Sequence, residues 1–397
     1  MTPYHEPFPT RVEAPSEPRH HNVLLLATVE TKREEIAYAV EALRENGVTA
    51  RVCDVSIKAA APLQGRDKMH AMRKTAHDII HGIGPLLGPH YRSIMGLGGG
   101  TGGQIIIDVM RALPFSYPKV LVTTLPFDPR SHVADTSITI VPALADICGL
   151  NATLRSVIDN AAAMVAGICR NPRKAVHVAL EPSIGITALG STDGGIRHLT
   201  TAVQESGREA TVFHSNGYGG AAFVRWCASG AFDAAIDFTT HEMTRIRIAG
   251  AHTEMPQRFT AAAQAHIPHV VLPGGMNFIG LGEASLVQKR FLERAHYTHS
   301  ALFTHVKVTP EEMTDCAETL ADHLTMGSAP CHVLVPMGGF SSEDGPGGAI
   351  EDEDLRGVFL DTMRKRAGNR LAITAIDDHI NSHACAQTAY DTLQLYM

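Results

Sequence analysis

Short apolar runs alternate along the chain with stretches whose apolar positions recur at helical spacing, the pattern of buried strands joined by amphipathic helices. Asn22–Thr28 (NVLLLAT) reads as the first strand and Lys32–Asn46 as an amphipathic helix stopped by Gly47. Val48–Asp54 follows as a second strand, so the three form a βαβ unit, which requires a parallel pair and a right-handed crossover. The pattern then predicts a helix over His70–Leu87, a strand over Ser93–Gly98, a helix over Gln104–Ala112 and a strand over Val120–Thr124 that runs into LPFDPR. Asp135–Leu150 and Asn151–Arg170 carry helical periodicity. Near Asn171-Pro172-Arg173 the alternation starts again, with strands expected at Ile184–Leu189, Glu209–His214, Ala234–Thr239, His269–Leu272, Leu302–Val308, His332–Pro336 and Leu371–Ile376. The expected fold is α/β, with two Rossmann-like, doubly wound parallel-sheet domains at residues 22–175 and 176–397 behind a disordered lead at 1–21.

The sharpest local signal is Ile94–Ile107 (IMGLGGGTGGQIII), which holds six glycines within eight residues between a strand and a helix start. Glycine lets backbone amides approach a ligand closely, and amides at a helix N-terminus favour an anion, most often a phosphate. Gly98, Gly99, Gly100, Thr101, Gly102 and Gly103 are therefore candidate phosphate ligands, with Thr124 at the next strand end. The alternative is a tight strand-to-helix turn with no ligand. The loop lacks the Gly-Lys-Ser/Thr of a P-loop, and no acidic residue lies about twenty positions on to hold a ribose. Thr28, Thr31 and Lys32 follow the first strand and reach the same sheet edge; Lys32 either neutralises a phosphate or is a solvated helix-start lysine. Asp54 ends the second strand, where it either accepts from a ribose hydroxyl or caps a turn.

Composition narrows the classes. Of the 397 residues, 44% are hydrophobic and 19% charged, and the net charge of −7 comes without a basic stripe, which argues against nucleic acid as a partner. Seven scattered cysteines, an odd number with no Cys-x-x-Cys, suit a reducing compartment, and no apolar run is long enough for a membrane helix, so the expected location is the cytoplasm. The first twenty residues are Pro-rich and lack the apolar core of a signal peptide.

In the second half most expected strands end in polar or glycine-rich loops. LGSTDGG and HSNGYGG repeat the glycine pair at a helix start, making Ser191, Thr192, Gly194, Gly195, His214, Gly219 and Gly220 candidates for a second ligand, with Gly274 from LPGGMN. Loops between strands and helices are rich in Gly, Ser and Asp in any case. Asp378 and His379, in the run Asp377–Asn381, suit proton transfer or a metal or polar ligand, as do Asp237 and His299; these four are the catalytic candidates. The 22 histidines form no His-Glu-x-x-His, so no metal site is expected. Ser341–Asp344 is expected to cap a helix or hold a substrate, and Gly345–Gly348 to make that loop mobile.

In this order the motifs resemble a family named for the ATP-binding N-terminal domain of the tomato mosaic virus resistance protein, whose many bacterial members are uncharacterised. Thr28, Thr31 and Lys32 match its Thr-x-Asp-Thr-Lys-Gly, from which Glu30 and Arg33 depart. Asp54 and GLGGGTGG match its next elements. Further matches are Asp135–Thr139, Gly149-Leu150-Asn151, Val212–His214 with Gly217, Gly219 and Gly220, Asp237–Glu242, Val271–Gly274, Tyr297-Thr298-His299, Pro346–Gly348 and Asp378–Asn381. The resemblance covers the chain from about Val23 onward. It implies ATP in the first domain, with Mg²⁺ as a possible companion, and a homodimer. The expectation is an ATP-binding protein that acts as an ATP-dependent enzyme on a small anionic metabolite at the second domain or the interdomain cleft. The alternatives are a nucleotide-gated binding or inhibitory module without turnover, or a dinucleotide-dependent oxidoreductase.

Overall fold

The computed structural model describes residues 23–59, 61–84, 87, 90–115, 117–124, 130–171, 183–251, 255 and 257–397. The chain divides into two compact units, Met1–Val176 and His177–Met397. The lead at 1–21, most of LPFDPR and the crossover near Pro172 lie outside the described residues.

Unit 1 runs β1 (Val23–Ala27), α1 (Arg33–Glu45), β2 (Ala50–Asp54), α2 (Gly65–Ile83), β3 (Ser93–Gly98), α3 (Gly100–Arg111), β4 (Lys119–Thr123), α4 (Arg130–Val133), β5 (Ile138–Pro142) and α5 (Ala152–Arg170). Its sheet has the order β2-β1-β3-β4-β5 with every pair parallel. Alternate residues of one strand feed opposite cores: Val23, Leu25 and Ala27 pack with α1 and α5, while Leu24 and Leu26 pack with α2 and α3. Helices therefore leave β1 and β3 for opposite faces, and a crevice opens between the carboxyl ends of these two strands, the topological switch point of an open α/β sheet.

Unit 2 repeats the plan: β6 (Ser183–Ala188), α6 (Asp193–Glu205), β7 (Glu209–His214), α7 (Tyr218–Ala228), β8 (Ala234–Asp237), α8 (Glu242–Arg247), α9 (Ala261–Gln264) and β9 (His269–Val271). After β10 (Phe278–Leu281), α10 (Lys289–Leu292), β11 (His296–Ser300) and β12 (Phe303–Lys307), the main alternation resumes. It ends with α11 (Pro310–Leu324), β13 (Cys331–Pro336), α12 (Glu353–Ala367), β14 (Ala372–Ile376) and α13 (His383–Gln394). The main sheet, β14-β13-β9-β8-β6-β7, is parallel throughout, and its switch point lies between β6 and β8. Both units are thus Rossmann-like and doubly wound.

Three elements differ from the sequence expectation. The helix expected at Asp135–Leu150 is instead edge strand β5 followed by a loop. Its run Ile138-Thr139-Ile140-Val141 is β-branched, Pro142 suits a sheet edge, and Leu144 at φ 60° and Gly149 at φ 82° are incompatible with a helix. The strand expected at Leu302–Val308 does not join the parallel sheet; as β12 it pairs antiparallel with β10 and β11 in a separate three-stranded sheet. Helix α3 starts four residues before the expected Gln104, inside the glycine run, with Gly103 N donating to Gly99 O at 2.6 Å.

Candidate functional site

The switch point of unit 1 holds a cavity of about 350 Å³. Its wall is made by Thr28, Thr31 and Lys32 after β1, Ser56 and Ile57 after β2, Gly99, Gly100, Thr101 and Gly102 at the start of α3, and Thr124 after β4. Glu30 and Asp146 are its acidic lining residues. The N-cap of α3 is Gly99, with no side-chain cap, and the amides of Gly100, Thr101 and Gly102 precede the first helical bond with no acceptor among the described residues. By contrast α5, α11 and α13 are capped by Asn151, Thr309 and Ser382. Three amides unpaired among the described residues and a dipole end facing an open cavity have the chemistry to receive an anion.

Gly98 and Gly103 are not part of that wall. A Cβ on Gly98 would lie 2.7 Å from Gly103 N, so these two glycines let β3 and α3 pack closely. Lys32 reaches the cavity, but its Nζ donates to Ile147 O. One turn on, buried Glu35 accepts from Gly149 N at 2.7 Å, so the start of α1 clamps the loop before α5 at both ends. Asp54 Oδ1 accepts from Val29 N at 3.1 Å, Ser56 N at 2.9 Å and Ser56 Oγ at 2.6 Å. It braces the first two loops against each other and is a positioning residue. A wider depression of about 660 Å³ continues past Ser56 and Ile57, walled largely by α2 side chains such as Lys74, His77 and Asp78.

At each matching helix start of unit 2 a side chain of the chain itself takes a glycine amide. At α7, Gly217 N donates to Glu242 Oε1, and a Cβ on Gly220 would collide with that carboxylate. At α6, Gly195 N donates to Asn381 Oδ1 at 3.1 Å, while Asn381 Nδ2 donates to Ser191 O at 3.0 Å. Gly194 packs on Asn381, and a Cβ on Gly195, Gly219 or Gly274 would collide with the carbonyl oxygens of Ile380, His214 or Phe238. Thr192 Oγ1 lies 3.0 Å from Thr239 Oγ1 in the same interior. His214 ends β7 exposed to solvent. In unit 2 the glycine pairs serve close packing.

The centre of this packing is Arg258, whose side chain is fully buried. Its NH1 and NH2 donate to Asp237 at 2.7 and 2.9 Å, its Nε donates to Glu242, and its guanidinium sits over Phe259, 4.7 Å from the ring centroid. Thr187 Oγ1 supplies a further bond to Asp237 at 2.6 Å. Asp237 thereby has both oxygens occupied inside the protein. Arg258 was invisible to sequence reasoning, since a lone arginine in QRFT looks like surface.

His379 is likewise engaged: Nδ1 accepts from Asn381 N at 3.0 Å and Nε2 donates to Ser341 O at 2.9 Å. Neither nitrogen is left for proton transfer in this arrangement. The neighbouring loop, expected to be mobile, is built around Asp344, which has no solvent exposure, accepts from Phe340 N and Asp352 N, and pairs with Arg356 at 3.0 Å. Burial raises the Asp344 pKa against those partners. Asp378 is half-buried at the same edge. His299 is exposed on β11 and stacks on buried His305 at 4.8 Å, away from Asp237 and His379 in the bonding pattern. The four catalytic candidates do not form one hydrogen-bonded constellation. No group of three or more His, Cys, Asp or Glu with metal-binding geometry occurs among the described residues. Burial pushes the Cys53, Cys227, Cys316 and Cys385 thiols up to about 12, which removes them as nucleophiles. Among the described residues no helix is long and apolar enough to cross a membrane.

Two family models match the sequence: residues 58–174 the N-terminal domain, and residues 181–397 the C-terminal domain, of the uncharacterised protein family UPF0261. The chain belongs to this family. A UPF0261 protein of Brucella suis biovar 1 is 26% identical over 393 residues, covering 92% of this chain and 93% of that protein. One from Clostridium tetani is 28% identical over 394 residues, covering 92% and 96%. The ToMV resistance protein Tm-1(GCR237) of Solanum lycopersicum is 26% identical over 306 residues, which are 75% of this chain and 41% of the plant protein. The resemblance to the plant protein is therefore a distant one that spans 41% of that protein.

A buried imidazole in the three-stranded sheet bears on stability at low pH. His305, in the β11–β12 hairpin beside Tyr297 and His299, is pushed down to about 3 by burial, with His241, His299 and Arg245 adding electrostatically. An unfolded imidazole titrates near about 6.5, so between these values the unfolded chain binds a proton that the folded chain does not. Stability contributed by neutral His305 is present above about pH 6.5 and is lost as the pH falls toward about 3. Buried His269 and half-buried His323 and His332 act with the same sign. Denaturant midpoints at pH 7.5 and 5.0 are expected to drop for the wild type and to drop less for His305→Gln; equal drops would assign the acid sensitivity elsewhere.

Proposed function

We propose that the chain binds ATP, its phosphates taken by the glycine-loop amides of unit 1. The observation that carries this reading is the uncapped start of α3, three amides without acceptors among the described residues over a cavity of about 350 Å³ at the switch point. That volume falls within the range of about 300–1,000 Å³ typical of small-molecule sites. Thr28, Thr31 and Thr101 offer hydroxyls, and Lys32 has two further ammonium protons beyond its bond to Ile147 O. Glu30 and Asp146 are the carboxylates available to Mg²⁺, which commonly takes one or two from the protein and the rest from phosphates and water.

A second reading, a binding module without turnover, is favoured by the full internal pairing of Asp237 and His379, which leaves the enzyme reading without those two groups. Calorimetric titration with ATP, ADP and NAD, each with and without Mg²⁺, tests the shared core of both. ATP binding is the expected result; no binding by any nucleotide would leave the glycine loop as architecture. Incubating the ATP-bound protein with acids and amides and measuring ADP release then separates enzyme from binding module.

A further inference from the structure

We propose that unit 2 carries a second site, for a small monocarboxylate ligand, in which Arg245 takes the carboxylate and the Tyr297 hydroxyl lies beside it. Arg245 stands one turn after His241 on α8, so the two share a side of that helix. That side faces the three-stranded sheet: Thr244 Oγ1 donates to Phe278 O at 2.8 Å, the His241 ring lies 4.5 Å from Phe278, and Phe278 stacks on His305 at 4.3 Å. His305 Nδ1 in turn lies 2.7 Å from the Tyr297 hydroxyl, and His299 stacks on its other side.

Arg245 is the underused cation of this neighbourhood. Its guanidinium makes one long bond, from NH1 to Asn216 O at 3.3 Å, its buried Nε has no acceptor, and it forms no ion pair among the described residues. Arg258, Arg294 and Arg356 each face a carboxylate. Burial pulls the Arg245 pKa down against the opposing influence of Glu242 and Tyr218, the mark of a desolvated charge without a direct partner. Next to Phe278 in the chain, Asn277 Oδ1 is a second buried atom without a partner among the described residues, on a side chain only 1% exposed that reaches Ser341. A planar guanidinium pairs with a carboxylate through two parallel bonds. Phosphate is the poorer fit, since Arg245 offers one guanidinium and the Glu343 carboxylate acts electrostatically on Tyr297.

This site is independent of the nucleotide reading, and thermal unfolding of the full chain tests it with acetate, glycolate and lactate as probes and inorganic phosphate as the control. The three carboxylates are expected to raise the unfolding temperature of the wild type and of a Gly100→Val variant by a few degrees, and to leave Arg245→Met unmoved. Without any probe, Arg245→Met is expected to unfold at or above the wild-type temperature, because an unpaired cation is removed from a half-buried place. A carboxylate shift that is absent from the wild type or persists in Arg245→Met would overturn the site. An Arg245-dependent shift with phosphate alone would overturn the ligand class, and a lower unfolding temperature of probe-free Arg245→Met would make the residue structural.

Discussion

Arg258→Met is expected to lower the unfolding temperature of unit 2 by about 6–20 °C. Removing one partner of a buried ion pair costs about 3–5 kcal/mol, because the opposing charge stays buried and unpaired. In a unit of this size each kcal/mol moves the transition by about 2–4 °C. Here the loss strands two carboxylates, Asp237 and Glu242, whose side chains are 8% and 0% exposed. It also frees the start of α7, since Glu242 can hold Gly217 N in place only while its own charge is compensated. Differential scanning calorimetry of the wild type, Arg258→Met and the triple variant Arg258→Met/Asp237→Asn/Glu242→Gln checks the argument. The triple variant is expected to recover part of the loss, since it leaves no uncompensated charge; a single variant as stable as the wild type would mean that the network does not hold the β7 and β8 loops together.

The alternation of apolar runs and amphipathic stretches was enough to read two parallel α/β units, without their strand order, because a strand buried on two faces leaves a continuous apolar signature, as in Val23–Ala27. It was not enough where burial is one-sided or partial. β11 is His-Tyr-Thr-His-Ser, mostly exposed, and has no apolar pattern to betray it. β5 lies at an edge, and its neighbouring residues carry enough apolar character to imitate a helix face. The glycine motifs show the same limit more sharply. GLGGGTGG, GSTDGG and HSNGYGG share one local chemistry, yet the first opens on a cavity and the other two are filled. Their occupants arrive from far along the chain: Asn381 lies 186 residues from Gly195, and Glu242 lies 25 from Gly217. Local spacing identifies a helix start that can hold an acceptor, while only the tertiary structure says whether the acceptor is already there.

That contrast makes Gly100 the decisive position for the nucleotide. Gly100→Val is expected to weaken ATP binding by about two orders of magnitude or more while leaving the fold intact. Gly100 is exposed at the first residue of α3, on the lip of the cavity, so an added side chain there stands at the approach to the amides. Hydrogen bonds to charged groups are worth about 1.5–3 kcal/mol each, and holding the phosphates off two of the three amides removes enough for a hundredfold loss. The neighbouring glycines make poorer tests: a Cβ on Gly102 would come 2.9 Å from Thr28 Cγ2, and one on Gly98 would press on the backbone of α3, so either change disturbs the packing as well as the cavity. Calorimetric titration of ATP against Gly100→Val, beside an unfolding curve that matches the wild type, separates the two effects. Unchanged affinity in a folded variant would move the phosphates away from α3, and the wider depression along α2 would then be the place to seek the nucleotide.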